Sequence, residues 1–417
     1  MTSTLHTAAP STTPTTDPTA SDGGDTDARP ALIRGLSAPK GFGDATLRER
    51  RADAIELLGG IPDPAVLPTR ELAEATARVL AVPGVPALQY GRTEGLPLLR
   101  EWIAAREGVD VGRIVITNGG FHGLSLAIQA VVERGGTVAV DDPIFPLFLR
   151  GLELSAGVPL PVPVGAEGLD IDALEARLAD GARPSGLYTV PDFHNPSQGT
   201  LPTAARRRLV ELAEQHDFVV FADNPYRELR FAGEPQDDAV FNESDHVIHI
   251  NTFTKTLGPG LRLGWLVLPE RFTRDVVALR SRQDSHTSLF VQSAIAELLT
   301  SDEGLFDRTL GVARELYRSR AEGLATALER EAPGAFEVRV PDGGFFLWPR
   351  LVDDAVDADR LAADASAEGV EYQRGSFFAS GTGNGAERHL RLSCGDTSVE
   401  RLDEAAVRLA RALARQA

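Results

Sequence analysis

The chain has one cysteine, Cys394, among 417 residues. A disulfide framework needs paired thiols and a thiolate metal centre needs several, so both are excluded, and no metal site is expected. No apolar run nears the ~20 residues that cross a bilayer, which excludes a membrane-spanning protein and leaves no membrane partner to expect. The N-terminus shows no basic region followed by an apolar segment, so a secretory leader is not expected and a cytoplasmic location is. Basic clusters are missing too. The formal net charge is −18, and a chain this acidic repels nucleic acid, so no nucleic-acid partner is expected.

Lysine is the scarcest of the charged residues. Of 42 Lys and Arg, only Lys40 and Lys255 are lysine. A GC-rich genome, which pushes Lys towards Arg, is the plain explanation, and salt adaptation a weaker one. Either way, lysine survives by chance or where guanidinium fails. An amine can lose its proton and attack a carbonyl, whereas Arg stays charged.

What is present is ordinary for a globular protein: 42% hydrophobic and 24% charged residues, on a chain long enough for two or three domains and a large core. Residues 1–30 are rich in Thr, Ser, Pro, Ala and Asp. They cannot bury enough surface to offset ordering entropy and read as a disordered tail. An N-terminal arm over 31–70, a large domain over 71–300 and a small C-terminal domain over 301–417 follow. Apolar spacing predicts helices near 72–80, 96–106, 121–133, 171–178 and 204–215. Short apolar runs at 137–140, 186–190, 218–222, 246–250 and 263–268 read as strands covered on both faces. This alternation predicts an α/β domain with a mainly parallel sheet. The rest predicts a smaller α+β domain, with helices at 306–330, 358–367 and 399–414 and strands near 336–340, 344–348 and 389–393.

Five segments can carry chemistry. The first runs from Asn251 to Trp265 and holds Lys255, Thr252, Thr254, Thr256 and Arg262. A lysine in apolar surroundings has a lowered pKa and can form a Schiff base with an aldehyde. The hydroxyls and Arg262 suit a phosphate. A surface lysine in a Gly-Pro loop is the plain alternative. In the second, Asp223 and Tyr226 follow directly on a buried strand, where α/β sheets collect ligands. Asp223 there suits a protonated ring nitrogen and Tyr226 a phenolate oxygen; an Asx-type turn with a packed Tyr is the alternative. The third places Asn195 before Pro196, either a ligand donor or a turn. In the fourth, Gly119 and Gly120 precede a predicted helix, whose free amides bind phosphate if the glycines are more than a turn. Phe145, just past a strand, suits a planar ring or the core. The fifth is Arg391 in a short apolar strand. A buried arginine needs an anionic partner, and a protein carboxylate and a substrate carboxylate are equally open.

Together and in order these segments resemble the fold-type-I pyridoxal-phosphate (PLP) enzymes. The best fit is the class I/II aminotransferase subgroup of the 2-aminoadipate/kynurenine kind, from about residue 55 to 415. The resemblance rests on Gly59-Gly60-Ile61-Pro62-Asp63-Pro64, Leu88-Gln89-Tyr90-Gly91, Asn195-Pro196, Asp223-Asn224-Pro225-Tyr226, Thr254-Lys255-Thr256-Leu257 with Pro259 to Trp265, Gly343 to Trp348, and Leu390-Arg391-Leu392-Ser393. It implies a large domain with a mixed, mainly parallel sheet flanked by helices, beside a smaller α+β domain. It implies pyridoxal 5'-phosphate as cofactor and Lys255 as the Schiff-base lysine and proton shuttle. Asp223 would hold the ring nitrogen protonated, Tyr226 and Asn195 the phenolate oxygen, and Phe145 would stack on the ring. The amides of Gly120 and Phe121, the hydroxyls of Thr252 and Thr254, and Arg262 would hold the phosphate. Arg391 would clamp the substrate α-carboxylate, with Asn195 nearby and Gly60 lining the site. Tyr90 would reach the phosphate of a neighbouring subunit, which implies a homodimer.

The pattern departs from the family at several points. Gly120-Phe121 stands where Ser-Gln is common, and Asn-Pro-Ser-Gln-Gly where Asn-Pro-Thr-Gly is usual. Asn224 replaces a frequent second acid, and Arg92 follows Gln-Tyr-Gly. The expected reaction moves an amino group from an L-amino acid to a 2-oxo acid. β-Elimination such as C–S lysis, or a decarboxylating oxidative deamination, is the alternative, of the kind natural-product pathways recruit. A non-catalytic ligand-binding regulator on the same fold is the reading from another class. The DNA-binding domain of some related regulators is not expected here, and retention of both Lys255 and Asp223 argues against a non-catalytic role.

Overall fold

The computed structural model of the protein describes residues 31–34, 36, 53–381 and 385–416. The tail over 1–30 and Lys40 lie outside the described residues. The chain divides into two units, Met1–Leu36 and Ser37–Ala417. In the first, the described residues form the short helical turn Ala31–Arg34. The second holds every strand among the described residues.

Its strands are β1 (Ile55–Leu57), β2 (Ile114–Thr117), β3 (Thr137–Asp142), β4 (Val158–Gly165), β5 (Gly168–Leu169), β6 (Gly186–Thr189), β7 (Val219–Asp223), β8 (Val247–Thr252), β9 (Gly264–Val267), β10 (Phe336–Glu337), β11 (Phe346–Leu347), β12 (Arg350–Leu351), β13 (Val370–Arg374) and β14 (Leu390–Ser393). Eight of them form one sheet in the order β2-β9-β8-β7-β6-β3-β4-β5. From β8 to β4 every pairing is parallel; β9 runs antiparallel to both β2 and β8, and β5 antiparallel to β4. The sheet is thus mixed and mostly parallel, as an apolar strand pattern alternating with helices requires. β7 and β8 are buried at every position. Helices Thr69–Ala81, Pro97–Glu107, Gly120–Val131, Ile171–Ala179 and Thr203–His216 match the periodicity to within a few residues at each end.

β4 is not legible as a strand in the sequence, because Pro159, Pro161 and Pro163 interrupt it. Prolines at every second position remove donors along one side only, which a strand near a sheet edge tolerates. The short β2 and the helices Pro146–Leu154, Glu270–Arg280 and Leu289–Ser301 also lack a decisive pattern.

The C-terminal sheet has the order β1-β13-β14-β11. β1 comes from far upstream and pairs in parallel with β13, Ile55 opposite Val370. The strands expected over 336–340 and 344–348 are shorter, two residues each in β10 and β11. Gly344, with φ +73, lies between them in a conformation that glycine adopts freely. The helix Leu305–Glu331 packs on the closing helix Val399–Ala414. No helix among the described residues is long and apolar enough to cross a membrane.

The topology brings six loops together. The parallel strands β3, β6, β7 and β8 all end at one edge of the large sheet, where Asp223 closes β7 and Phe145, Asn195 and Lys255 follow β3, β6 and β8. β2 runs the same way and leads into Gly119 and Gly120, and antiparallel β9 begins there, just after Arg262. This is the edge where open α/β sheets hold ligands.

Candidate active site

Lys255 sits where β8 gives way to the tight turn Phe253–Lys255. The Thr252 side chain caps that turn, its Oγ1 accepting from the Thr254 amide at 3.1 Å, and Phe253 anchors it in the core. The lysine side chain is thereby directed into a cavity of about 280 Å³. Its Nζ donates to the Gly60 carbonyl at 2.6 Å and lies 5.8 Å from the Tyr226 ring centroid. Burial pulls its pKa down to about 8; the Arg391 and Arg262 charges act the same way, and Asp223 opposes them.

Asp223 closes β7 and lines the same cavity. Burial pushes its carboxyl up to about 7. The Tyr188 hydroxyl, donating to Oδ2 at 3.1 Å, and the Lys255 charge favour the ionised form, while Asp141 disfavours it. Tyr188 is itself fixed by Phe148, stacked on it at 3.9 Å. Tyr226 is buried, which raises its phenol pKa, and it shares a hydrogen bond with the Asn195 side chain.

Next to the lysine lies a cradle for an anion. Helix Gly120–Val131 starts at the cavity, and its first amides have no partner within the helix. Gly119 takes φ +83, and a Cβ on it would stand 2.5 Å from the Arg262 guanidinium. Only glycine leaves Arg262 its place. Arg262 in turn donates to the carbonyls of Asn118 and Pro259 at 3.2 and 3.3 Å. The Thr252 and Thr254 hydroxyls are 2.7 Å apart, and both residues line the cavity. Partial positive helix end, hydroxyls and guanidinium together suit a phosphate.

Arg391 approaches from β14, 1% exposed. It donates to Asn195 Oδ1 at 3.0 Å and to the Leu58 carbonyl. Its guanidinium lies over the rings of Phe346 and Phe378 at 4.5 and 4.8 Å. Burial lowers its pKa to about 10.

The structure brings Lys255, Asp223, Tyr226, Asn195, Phe145, Gly120, Phe121, Thr252, Thr254, Arg262 and Gly60 to one cavity. Arg391 stands behind its wall, in contact with Asn195 and Phe346. Tyr90 is not among them: it is 93% exposed, edge-on to the His286 ring at 5.9 Å. Sequence reasoning gives no role to Tyr188 or Phe346. Tyr188 falls within a predicted strand and Phe346 within the Gly343 to Trp348 segment, but nothing in the pattern sets Phe346 apart from its buried neighbour Phe345. Ile61, Leu124, Leu147 and Pro225 also line the cavity. Leu124 follows Gly120 and Phe121 at helical spacing, which is a usable signal.

The sequence profile of the family described as aminotransferase class I and II matches residues 60–409. The chain belongs to the class I and II aminotransferases. This aminotransferase is 36% identical over 380 residues to 2-aminoadipate transaminase of Thermus thermophilus, covering 88% of the chain and 94% of the relative. It is 32% identical over 371 residues to aromatic-amino-acid aminotransferase 1 of Thermococcus litoralis, covering 86% and 88%. Among solved structures it is similar to LysN, an α-aminoadipate aminotransferase of Thermus thermophilus complexed with N-(5'-phosphopyridoxyl)-L-leucine. The TM-score is 0.84 at 34% identity, over 93% of this chain and 98% of that one. The fold is that of fold-type-I PLP enzymes, and the cofactor of this aminotransferase is pyridoxal 5'-phosphate. The residues present fit that group: an anion cradle, a buried acid and an amine of lowered pKa share one cavity.

Proposed function

We propose that this aminotransferase passes an amino group from an L-amino acid to a 2-oxo acid with Lys255 as its covalent anchor and proton carrier. The observation that carries the reading is the position of the Lys255 amine, buried in a cavity it shares with Asp223 and the anion cradle. When bound, pyridoxal phosphate supplies an aldehyde for the amine and a ring that withdraws electron density from the substrate α-carbon.

The remaining work falls to side chains. A lysine with a pKa of about 8 exchanges its proton readily at neutral pH, so Nζ is suited to take a proton and return it. Asp223, in a site that resists a lone negative charge, is stabilised as a carboxylate by a cationic partner, and we assign that partner as the protonated ring nitrogen. Tyr226 and Asn195 are assigned to the phenolate oxygen and Phe145 to the ring face. The amides of Gly120 and Phe121, with Thr252, Thr254 and Arg262, are assigned to the phosphate. Arg391 is assigned to the substrate α-carboxylate, with Asn195 beside it and Gly60 keeping the approach open.

Tyr90 is assigned to the phosphate site of a second copy of the chain, so the working form is read as a homodimer. Its exposure and its place outside its own subunit's cavity support that reading. A cytoplasmic location is also proposed, supported by a single, buried cysteine.

The test is an amino-acid screen that follows cofactor absorbance and identifies products by mass. The expected products are a 2-oxo acid and pyridoxamine phosphate. Ammonia with a released thiol, or carbon dioxide, would overturn transamination.

A further inference from the structure

Gln198 stands in a backbone conformation that favours glycine, with φ +67. The usual glycine of this turn comes one residue later, at Gly199. There, a Cβ would meet the Gly165 carbonyl oxygen at 2.5 Å, so that glycine is needed for close approach. Gln198 therefore keeps a side chain where local sterics oppose one. The side chain is 4% exposed, and its Nε2 donates to the Phe346 carbonyl at 2.9 Å and to the Arg339 carbonyl at 3.3 Å. The turn beneath it is closed: the Gln198 amide donates to the His194 carbonyl at 2.7 Å and the His194 amide to the Gly199 carbonyl at 2.8 Å.

These bonds complete a circuit. Asn195, three residues before Gln198, accepts from Arg391. Arg391 lies over the Phe346 ring. The Phe346 carbonyl accepts from Gln198. One turn thus grips Arg391 at its guanidinium through Asn195 and the aromatic surface under it through Gln198. We propose that Gln198 is a positioning residue for Arg391, acting through Phe346 and Asn195, and that it sets the affinity for the substrate carboxylate. The inference rests on the assignment of Arg391 to that carboxylate. Arg391 is a planar cation with little rotational freedom once its flat face is covered, so a shift of Phe346 tilts the fork away from a bidentate partner.

The test uses the loaded enzyme and two variants. Gln198→Gly suits the positive φ and removes only the tie; Gln198→Met keeps the bulk without a donor. In both, KM for the amino donor is expected to rise about 5- to 10-fold, as loss of one well-placed hydrogen bond implies, with kcat within about twofold. Calorimetric Kd for 4-methylpentanoate, a carboxylate without an amino group, should rise by the same factor. The cofactor absorbance maximum should not move. If Gln198→Gly leaves KM and the carboxylate Kd within about twofold of the parent, the proposal is overturned. Loss of cofactor absorbance or of kcat alongside KM overturns it as well, since that marks general disruption. Arg391→Gln serves as the control: if it weakens 4-methylpentanoate and the Gln198 variants do not, the tie alone is wrong. If Arg391→Gln has no effect either, the carboxylate assignment falls with it.

Discussion

The Lys255 Nζ donates to the Gly60 carbonyl oxygen at 2.6 Å, joining segments 195 residues apart. The contact gives the amine a neutral partner at its resting place, since a carbonyl can accept from –NH₂ as well as from –NH₃⁺. It also explains why the Gly59-Gly60 segment belongs to the site although it precedes every strand of the large sheet.

The first prediction concerns the amine. Lys255→Ala should abolish covalent attachment of the cofactor while leaving the fold intact, because truncation at a cavity removes no packed core. Mass spectrometry after borohydride treatment checks this. The parent should gain the mass of a reduced phosphopyridoxyl group and the variant should not. A persisting adduct would remove Lys255 from its role.

The second concerns its acceptor. A Cβ on Gly60 would stand 2.8 Å from Phe346 Cζ and 3.4 Å from Lys255 Nζ. The Phe346 ring cannot retreat freely, because Arg391 lies over it. Gly60→Ala should therefore lower kcat/KM by about 10- to 100-fold, or ~1.4–3 kcal/mol, while borohydride still fixes the cofactor. Unchanged kinetics would show that the wall yields.

The third concerns pH. Asp223 has its folded pKa raised to about 7 from an ordinary value near 3.8, so between about pH 4 and 7 the folded chain holds a proton the unfolded one has released. Stability from this group falls as pH rises through that window. Lys255 has its folded pKa lowered to about 8 from 10.5, so between about pH 8 and 10.5 the unfolded chain holds the extra proton, and stability rises with pH. Stripped of cofactor, the protein should show its weakest contribution from this pair near pH 7–8. Loading the cofactor should stabilise most there. Urea midpoints of both forms across roughly pH 5 to 9 check the sign; a flat difference would remove these two groups from the account.

The site is legible in the sequence wherever chemistry restricts residue choice. Lys255 stands out because the chain has almost no other lysine, and Asp223 because it ends an apolar strand. Tyr188 does not, since it reads as one more buried strand residue until its hydroxyl is seen to meet Asp223. The fold is legible where period and burial agree, as in β7 and β8. It is not where tertiary pairing decides: β4 is a strand despite three prolines because it lies near an edge, and β1 because β13 is there to receive it. The departure at Asn224 also resolves only in three dimensions. Its amide donates to Asp192 at 2.8 Å, and Asp192 is the acid that holds Arg206 and Arg230.

The fourth prediction follows from Tyr188. Its hydroxyl favours the ionised form of Asp223, so Tyr188→Phe should raise the Asp223 pKa further. A carboxylate that is harder to ionise holds the proton of a ring nitrogen less well. The pH midpoint of the cofactor's visible band should shift and kcat fall about tenfold, roughly 1.4 kcal/mol of barrier, with KM for the amino acid nearly constant. An unmoved spectroscopic titration would leave Tyr188 with packing alone.

The fifth tests the carboxylate. Arg391 is buried, with its guanidinium over the rings of Phe346 and Phe378 and a hydrogen bond to Asn195. A charge-assisted bond to a substrate carboxylate contributes about 1.5–3 kcal/mol, which is roughly 10- to 100-fold in binding. Arg391→Ala should raise KM for the amino acid and for the 2-oxo acid by that factor, because both carry the same carboxylate. Cofactor attachment should persist, since Arg391 stands behind the wall the cofactor cavity presents. A thermal melt separates this from collapse: the two aromatic faces lose their cover, so some loss of Tm is expected, but a cooperative transition should remain. Saturation curves that match the parent for both substrates would mean that a different group receives the carboxylate.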